Sequence, residues 1–313
     1  MRPTAPTIDS EERIGIAAAA AAAIIDGAAY PATAVALRSF SPLAVAGLSC
    51  TLALVLVLGL VVASVLPRPS AGGMTRPRLA RLIMLSLLGG ILFIVGVNIA
   101  VAIAGPTITG FVAPLYAVLA TLFAVPLLGE RVRVVALAAF GLALVGTALL
   151  AGAVPTGAPA GGVLLALLSA AMFALYVVLA RRWGAHYRLD GTLITIANLI
   201  GRGPVLLVAA VILDPGGVLP SDPDPAAIIA LLTIVFGSST SGNLLLMASV
   251  RRVSSGRTSA ALLLTPVASA VIAAVVLGER LSPGGTLGAV FILAGMAVAS
   301  GLFSRRRASV SSG

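Results

Sequence analysis

The chain has no lysine, one cysteine, one histidine and one tryptophan, and only ten of its 313 residues are acidic. Each shortage excludes something. A single cysteine, Cys50, closes no intramolecular disulfide and builds no cysteine metal cluster. A single histidine, His186, leaves little for histidine-based catalysis or metal ligation. No glycine-rich phosphate loop ending in lysine is present, so the chain has no ATPase of its own. The largest deficit is charge. Charged residues make up 10% of the chain, against about 25% in soluble domains. Hydrophobic residues make up 59%, and the mean hydropathy is +1.14. So little polar surface cannot cover a water-soluble globule, which leaves an integral membrane protein.

What is there is a series of apolar runs of about 20 residues, each long enough to cross a bilayer as a helix. The sequence predicts ten transmembrane helices. Five, at 14–36, 43–66, 80–103, 107–128 and 133–153, fill the first half. Five more, at 161–181, 191–213, 225–250, 258–278 and 285–303, fill the second. The runs are too long for barrel strands and do not alternate, so the fold class is all-α.

The net charge of +10 comes from 20 arginines, which lie in small groups between the apolar runs. A basic balance of this pattern points to membrane orientation rather than nucleic acid. Ten spans put both termini on one side, and 17 of the 20 arginines fall there. The opposite side receives only Arg38 and Arg280, and Arg202 falls within a span. Arginine excess marks the cytoplasmic face. The expectation is a multi-pass protein of the cytoplasmic membrane with cytoplasmic tails at 1–13 and 304–313. Arg2 and Arg13 are offset by Asp9, Glu11 and Glu12. That is unlike the positive leader of a cleaved signal, so the first run is expected to be a retained helix.

The chain also repeats. Leu128-Gly129-Glu130-Arg131 and Leu277-Gly278-Glu279-Arg280 each close an apolar run, with Glu130 and Glu279 149 residues apart. Gly146 and Gly295 keep the same spacing. Residues 14–153 and 161–303 therefore read as two copies of one five-helix unit. Gly129 and Gly278 suit left-handed helix caps. The charged pairs Glu130–Arg131 and Glu279–Arg280 belong at the membrane surface, where a structural role is expected. Five is odd, so the second copy enters the membrane from the opposite side. This is an inverted-topology repeat, an architecture of secondary transporters.

With Gly-Glu-Arg after the fourth helix of each copy, the chain resembles the EamA-type family of the drug/metabolite transporter superfamily. The second copy carries Leu264-Thr265-Pro266, then Leu277-Gly278-Glu279-Arg280-Leu281, then Gly288 and Gly295. The first carries Pro114-Leu115-Tyr116 before Leu128-Gly129-Glu130-Arg131-Val132. The resemblance covers about residues 14–303. It departs from the family pattern at Asp26, where an aromatic is common, and at Ser49, where an arginine is frequent. Pro114 and Pro266 stand at different distances from their glutamates. The resemblance implies transport of small metabolites, often export, and carries no universal substrate motif.

Ionisable residues inside spans are costly and are functional candidates by default. Asp26 lies mid-span in the first helix and Arg202 mid-span in the seventh. Two readings stand. Both face a central polar cavity, with Arg202 taking an anionic group and Asp26 a cationic group or a proton; or they form a structural ion pair. Thr195, Asn198 and Arg202 share one helical face, as do Asp26 and Tyr30, and Ser169, Phe173 and Tyr176. Asn98 in the third helix loosely matches Asn243 in the eighth. The candidate substrate residues are thus Asp26, Tyr30, Asn98, Tyr176, Asn198, Arg202 and Asn243. The polar run Gly237–Asn243 either permits close helix packing or loosens the eighth helix. Pro114 and Pro266 are candidate kinks.

The expected function is secondary transport of a small polar metabolite, amino-acid-like or drug-like, by alternating access in the export direction. The bilayer and the substrate are the expected partners, and Asp26 is the candidate for proton coupling. No cofactor and no metal site are expected. An intramembrane enzyme needs a nucleophile–base or carboxylate–metal constellation, and a channel needs a subunit ring or filter loop; neither pattern appears. Small residues serve packing within and between chains alike, so they do not set the oligomeric state.

Overall fold

The computed structural model describes residues 10–67, 73–129, 134–152, 158–187, 189, 191–218, 220–250, 252 and 261–299. Glu130, Arg131 and the tail 304–313 lie outside the described residues. The longer helices are α1 (Ser10–Ala36), α2 (Pro42–Val62), α3 (Arg76–Ala104), α4 (Pro106–Leu128) and α5 (Val134–Gly152). They continue with α6 (Ala158–His186), α7 (Gly191–Leu213), α8 (225–250), α9 (Leu264–Leu277) and α10 (Pro283–Ala299). A one-turn helix, Pro215–Val218, precedes α8.

Seven helices among the described residues are long and apolar enough to cross a membrane. The apolar helices Leu137–Leu150, Leu264–Leu277 and Pro283–Val298 are shorter. Large apolar side chains cover the outside: Val62 and Val275 are each 80% exposed, and Ile212 and Leu213 each 72%. Such a surface is compatible with lipid and not with water.

Several ends differ from the sequence expectation. α1 begins at Ser10, inside the expected tail, because Glu11 and Glu12 sit in its first turn, where the helix dipole favours anions. α6 runs on to His186, so that residue ends a helix rather than standing in a loop. Pro114 lies in a 3₁₀ turn, Ala113–Leu115, that tightens α4 midway. Pro266 falls in the first turn of α9, where proline is tolerated and does not kink the helix. Gly129 and Gly278 take the left-handed cap, at φ 69° and 70°.

Helix packing relates the two halves. α2 lies against α7, and α5 against α10. α1 packs on α8 and α9, while α6 packs on α3 and α4. Exchanging each helix for the one five places along maps this set of contacts onto itself. Both α3 and α8 are also interrupted by a π-helical stretch, Ser86–Leu92 in one and Gly237–Gly242 in the other. Glycines allow the closest crossings. A Cβ on Gly146 would lie 2.6 Å from the Gly288 carbonyl, and a Cβ on Gly288 would lie 2.7 Å from the Gly146 carbonyl. At the α2–α7 crossing, a Cβ on Gly47 would meet the Leu207 backbone at 2.6 Å.

The second half also holds both ends of α4. Glu279 Oε2 accepts a hydrogen bond from the Thr107 amide, 3.2 Å away, at the helix start. Arg182 Nη1 donates to the Leu127 carbonyl, 2.8 Å away, in its last turn. Acid at the N-terminus and base at the C-terminus both complement the helix dipole. Glu279→Gln should therefore lower stability by about 1 kcal/mol, a fall of about 2 °C in Tm. Thermal unfolding of the purified protein checks this. Lost transport at an unchanged Tm would place Glu279 in the transport path instead.

Candidate functional site

A cavity of about 330 Å³ lies between the halves, within the usual size range of small-molecule sites. Its wall draws on α1 to α4 and α6 to α10. Six of the candidate residues line it: Asp26, Tyr30, Asn98, Tyr176, Asn198 and Arg202. The seventh, Asn243, opens the last helical part of α8, and its side chain lies outside the described residues.

Asp26 and Arg202 do not form an ion pair with each other, whereas Arg252 and Glu11 do, at 3.0 Å. Each charge lies instead against a π-helical stretch of the other half. Asp26, on α1, meets α8: a Cβ added to Gly242 would come within 2.8 Å of Asp26 Oδ1. Arg202, on α7, meets α3: a Cβ on Gly90 would come within 3.2 Å of the Arg202 Cβ and Cδ, and would collide with Asn198 Oδ1. Only glycine lets these backbones approach so closely. A π-helical turn replaces i→i−4 bonds with longer ones and recurs at functional sites. A proline follows each charge within about a turn, Pro31 in α1 and Pro204 in α7. Each removes one backbone donor from its helix.

The Arg202 end is under-satisfied. Arg202 Nε and Asn198 Oδ1 are buried, and neither has a hydrogen-bond partner among the described residues. Buried polar atoms without partners cost free energy and need a reason. Tyr176 neighbours both Asn198 and Arg202. At the other end, Tyr30 and Tyr116 are the tyrosines that feel the Asp26 charge. Asn98 lines the cavity but donates through Nδ2 to the Pro42 carbonyl at 3.1 Å, which ties α3 to the start of α2. Ser169 turns back onto the Leu165 carbonyl at 2.7 Å and packs against Gly96, so it is not in the lining.

Between the two charged ends runs a row of rings. Tyr116 and Phe173 stand edge-on, 4.7 Å apart between ring centres. Phe173 and Tyr176 follow at 5.2 Å, and Phe93 closes on Phe173 at 4.4 Å. Reading the sequence missed Phe93 and Tyr116 as lining residues. An aromatic in an apolar run does not stand out, although the proline two residues before Tyr116 marked a break in that helix. Ser238 and Ser239 also reach the lining, so the polar run in α8 both loosens the helix and faces the cavity.

A helical membrane fold whose largely apolar central cavity holds a few polar and charged groups between two alike halves defines a polytopic membrane transporter. The chain belongs to the EamA-like transporter family, whose model matches residues 13–152 and again 160–301. The family is of the drug/metabolite transporter type. No curated protein matches the sequence. A solved crystal structure, described only as that of a protein, is similar in fold: TM-score 0.64 at 21% identity, over 97% of this chain and 100% of that one.

Proposed function

We propose that the protein is a secondary transporter that moves a small polar metabolite through the central cavity by alternating access, in the export direction. The observation that carries this reading is the placement of two charges, one from each half and neither ion-paired among the described residues, in one cavity between those halves. An intramembrane charge without a protein partner is suited to a ligand or a proton. The ten apolar segments, the repeated π-helical stretches and the self-mapping contacts support two five-helix copies of opposite orientation. In that arrangement, exchanging the conformations of the two halves exposes one site to either side in turn. The arginine bias supports cytoplasmic termini in the cytoplasmic membrane. Asp26 is the carboxylate through which proton coupling would run. A substrate cation and a proton would compete for it, which produces antiport.

Topology is tested by single-cysteine labelling in a Cys50→Ala background. Met74→Cys and His186→Cys should react with impermeant reagent from the cytoplasmic side only, and Gly216→Cys and Ser221→Cys from the outer side only. Labelling of Cys at 186 and 221 from the same face would overturn the inverted arrangement. Transport is tested by comparing metabolites in the medium of cells that lack or overproduce the protein. One or a few small polar compounds should rise outside the overproducing cells. Identical profiles would count against an exporter.

A further inference from the structure

We propose that the cavity selects an extended zwitterion, a molecule whose cationic and anionic groups stand at opposite ends of a flat or apolar body. The inference rests on the transporter reading and adds a substrate class to it. It comes from the separation of the charges. Asp26 lies against Gly242 of α8, about a turn before Tyr30 on α1, and lines the same cavity as Tyr116. Arg202 lies against Gly90 of α3, beside Tyr176 and Asn198. The two are not within ion-pair distance. Tyr116, at the acid end, and Tyr176, at the arginine end, are joined through Phe173 by ring-to-ring steps of 4.7 and 5.2 Å.

An α-amino acid carries its ammonium and carboxylate on one carbon. It reaches one end of such a cavity and leaves the opposite charge unmatched in an apolar site, which is costly. A ligand with its charges at opposite ends satisfies both. Its carboxylate accepts from the Arg202 guanidinium, whose buried Nε has no partner among the described residues. The buried Asn198 Oδ1, also without a partner there, accepts from a water that bridges it to the carboxylate. Its ammonium donates to Asp26. Its body lies along Phe93, Phe173 and Tyr116, where an aromatic ring stacks or meets ring edges. Rejection of the short zwitterion follows from the same unpaired groups that favour the long one.

The test uses the full-length protein in nanodiscs and four probes, with binding followed by calorimetry. Para-aminomethylbenzoate carries the two charges at opposite ends of a ring. Benzylamine and para-methylbenzoate keep one charge each, and phenylalanine keeps both on one carbon. Para-aminomethylbenzoate should bind at least about tenfold more tightly than any of the other three, the size expected for one charged hydrogen bond gained. Arg202→Gln should weaken para-aminomethylbenzoate and para-methylbenzoate and leave benzylamine unchanged. Asp26→Asn should weaken para-aminomethylbenzoate and benzylamine and leave para-methylbenzoate unchanged. The binding each variant retains shows that it is folded. The proposal is overturned if phenylalanine binds as tightly as para-aminomethylbenzoate, if each variant weakens all probes alike, or if no probe binds. The export comparison above uses none of these probes, so it judges transport separately from this substrate class.

Discussion

Arg202→Ala and Asp26→Ala are each expected to cut substrate flux by about tenfold to a hundredfold, the loss of one charged hydrogen bond worth about 1.5–3 kcal/mol. Expression and membrane insertion should stay near those of the unaltered protein. A charge in a span is costly unless something compensates it. Neither residue is compensated by the other, because no ion pair joins them. A purely structural charge could be removed with little effect on flux. Proteoliposome flux of the metabolite found by the export comparison measures the effect. The double variant separates the two readings of these residues. If they act on separate groups of the substrate, the double variant is at least as impaired as the worse single one. If it recovers activity, the two charges were serving each other. Wild-type flux in both single variants would remove them from the route.

Gly146→Leu is expected to abolish folded protein. A Cβ there would stand 2.6 Å from the Gly288 carbonyl and 2.8 Å from both Ile292 Cγ1 and the Ile292 amide nitrogen. Two of these three are backbone atoms, which cannot rotate away. Overpacking of a tight core costs about 1–3 kcal/mol when side chains can yield, and more when they cannot. α5 and α10 would be forced apart along their whole crossing, where Gly288 and Gly295 make equally close approaches. Gly141 lies on the same helix with nothing within 4 Å of its Cβ position. Gly141→Ala should therefore be neutral or gain up to about 1 kcal/mol from helix propensity alone. Detergent-solubilised yield and Tm report both. Equal stability of Gly146→Leu and Gly141→Ala would contradict the packing described here.

How much of this was legible beforehand follows from what contrast a residue makes with its neighbours. Asp26, Asn98, Asn198 and Arg202 are polar groups in apolar runs, and such groups are visible in one dimension because the bilayer penalises them. Gly129 and Gly278 were visible for another reason: a helix stop recurs at a fixed spacing. Phe93 and Tyr116 were not visible as lining, because an aromatic is at home in an apolar helix and only the fold decides which way it faces. Partners were also out of reach. Glu279 was expected at the membrane surface, but nothing local says that it accepts from Thr107, 172 residues earlier. Likewise the polar run Gly237–Asn243 announced a weakened helix, whereas Gly89 and Gly90 gave little sign that α3 carries its counterpart.

The most direct test of alternating access follows one lining position from both sides of the membrane. Thr121 lines the cavity on α4 and is close in size to cysteine. With Cys50→Ala as background, Thr121→Cys is reconstituted in one orientation and treated with an impermeant thiol reagent, inside or outside. The account predicts reaction from either side. It also predicts that the ratio of the two rates shifts when transported substrate is supplied on one side only. Reaction from a single side under every condition would contradict it, because a site that never changes its exposure cannot carry a substrate across.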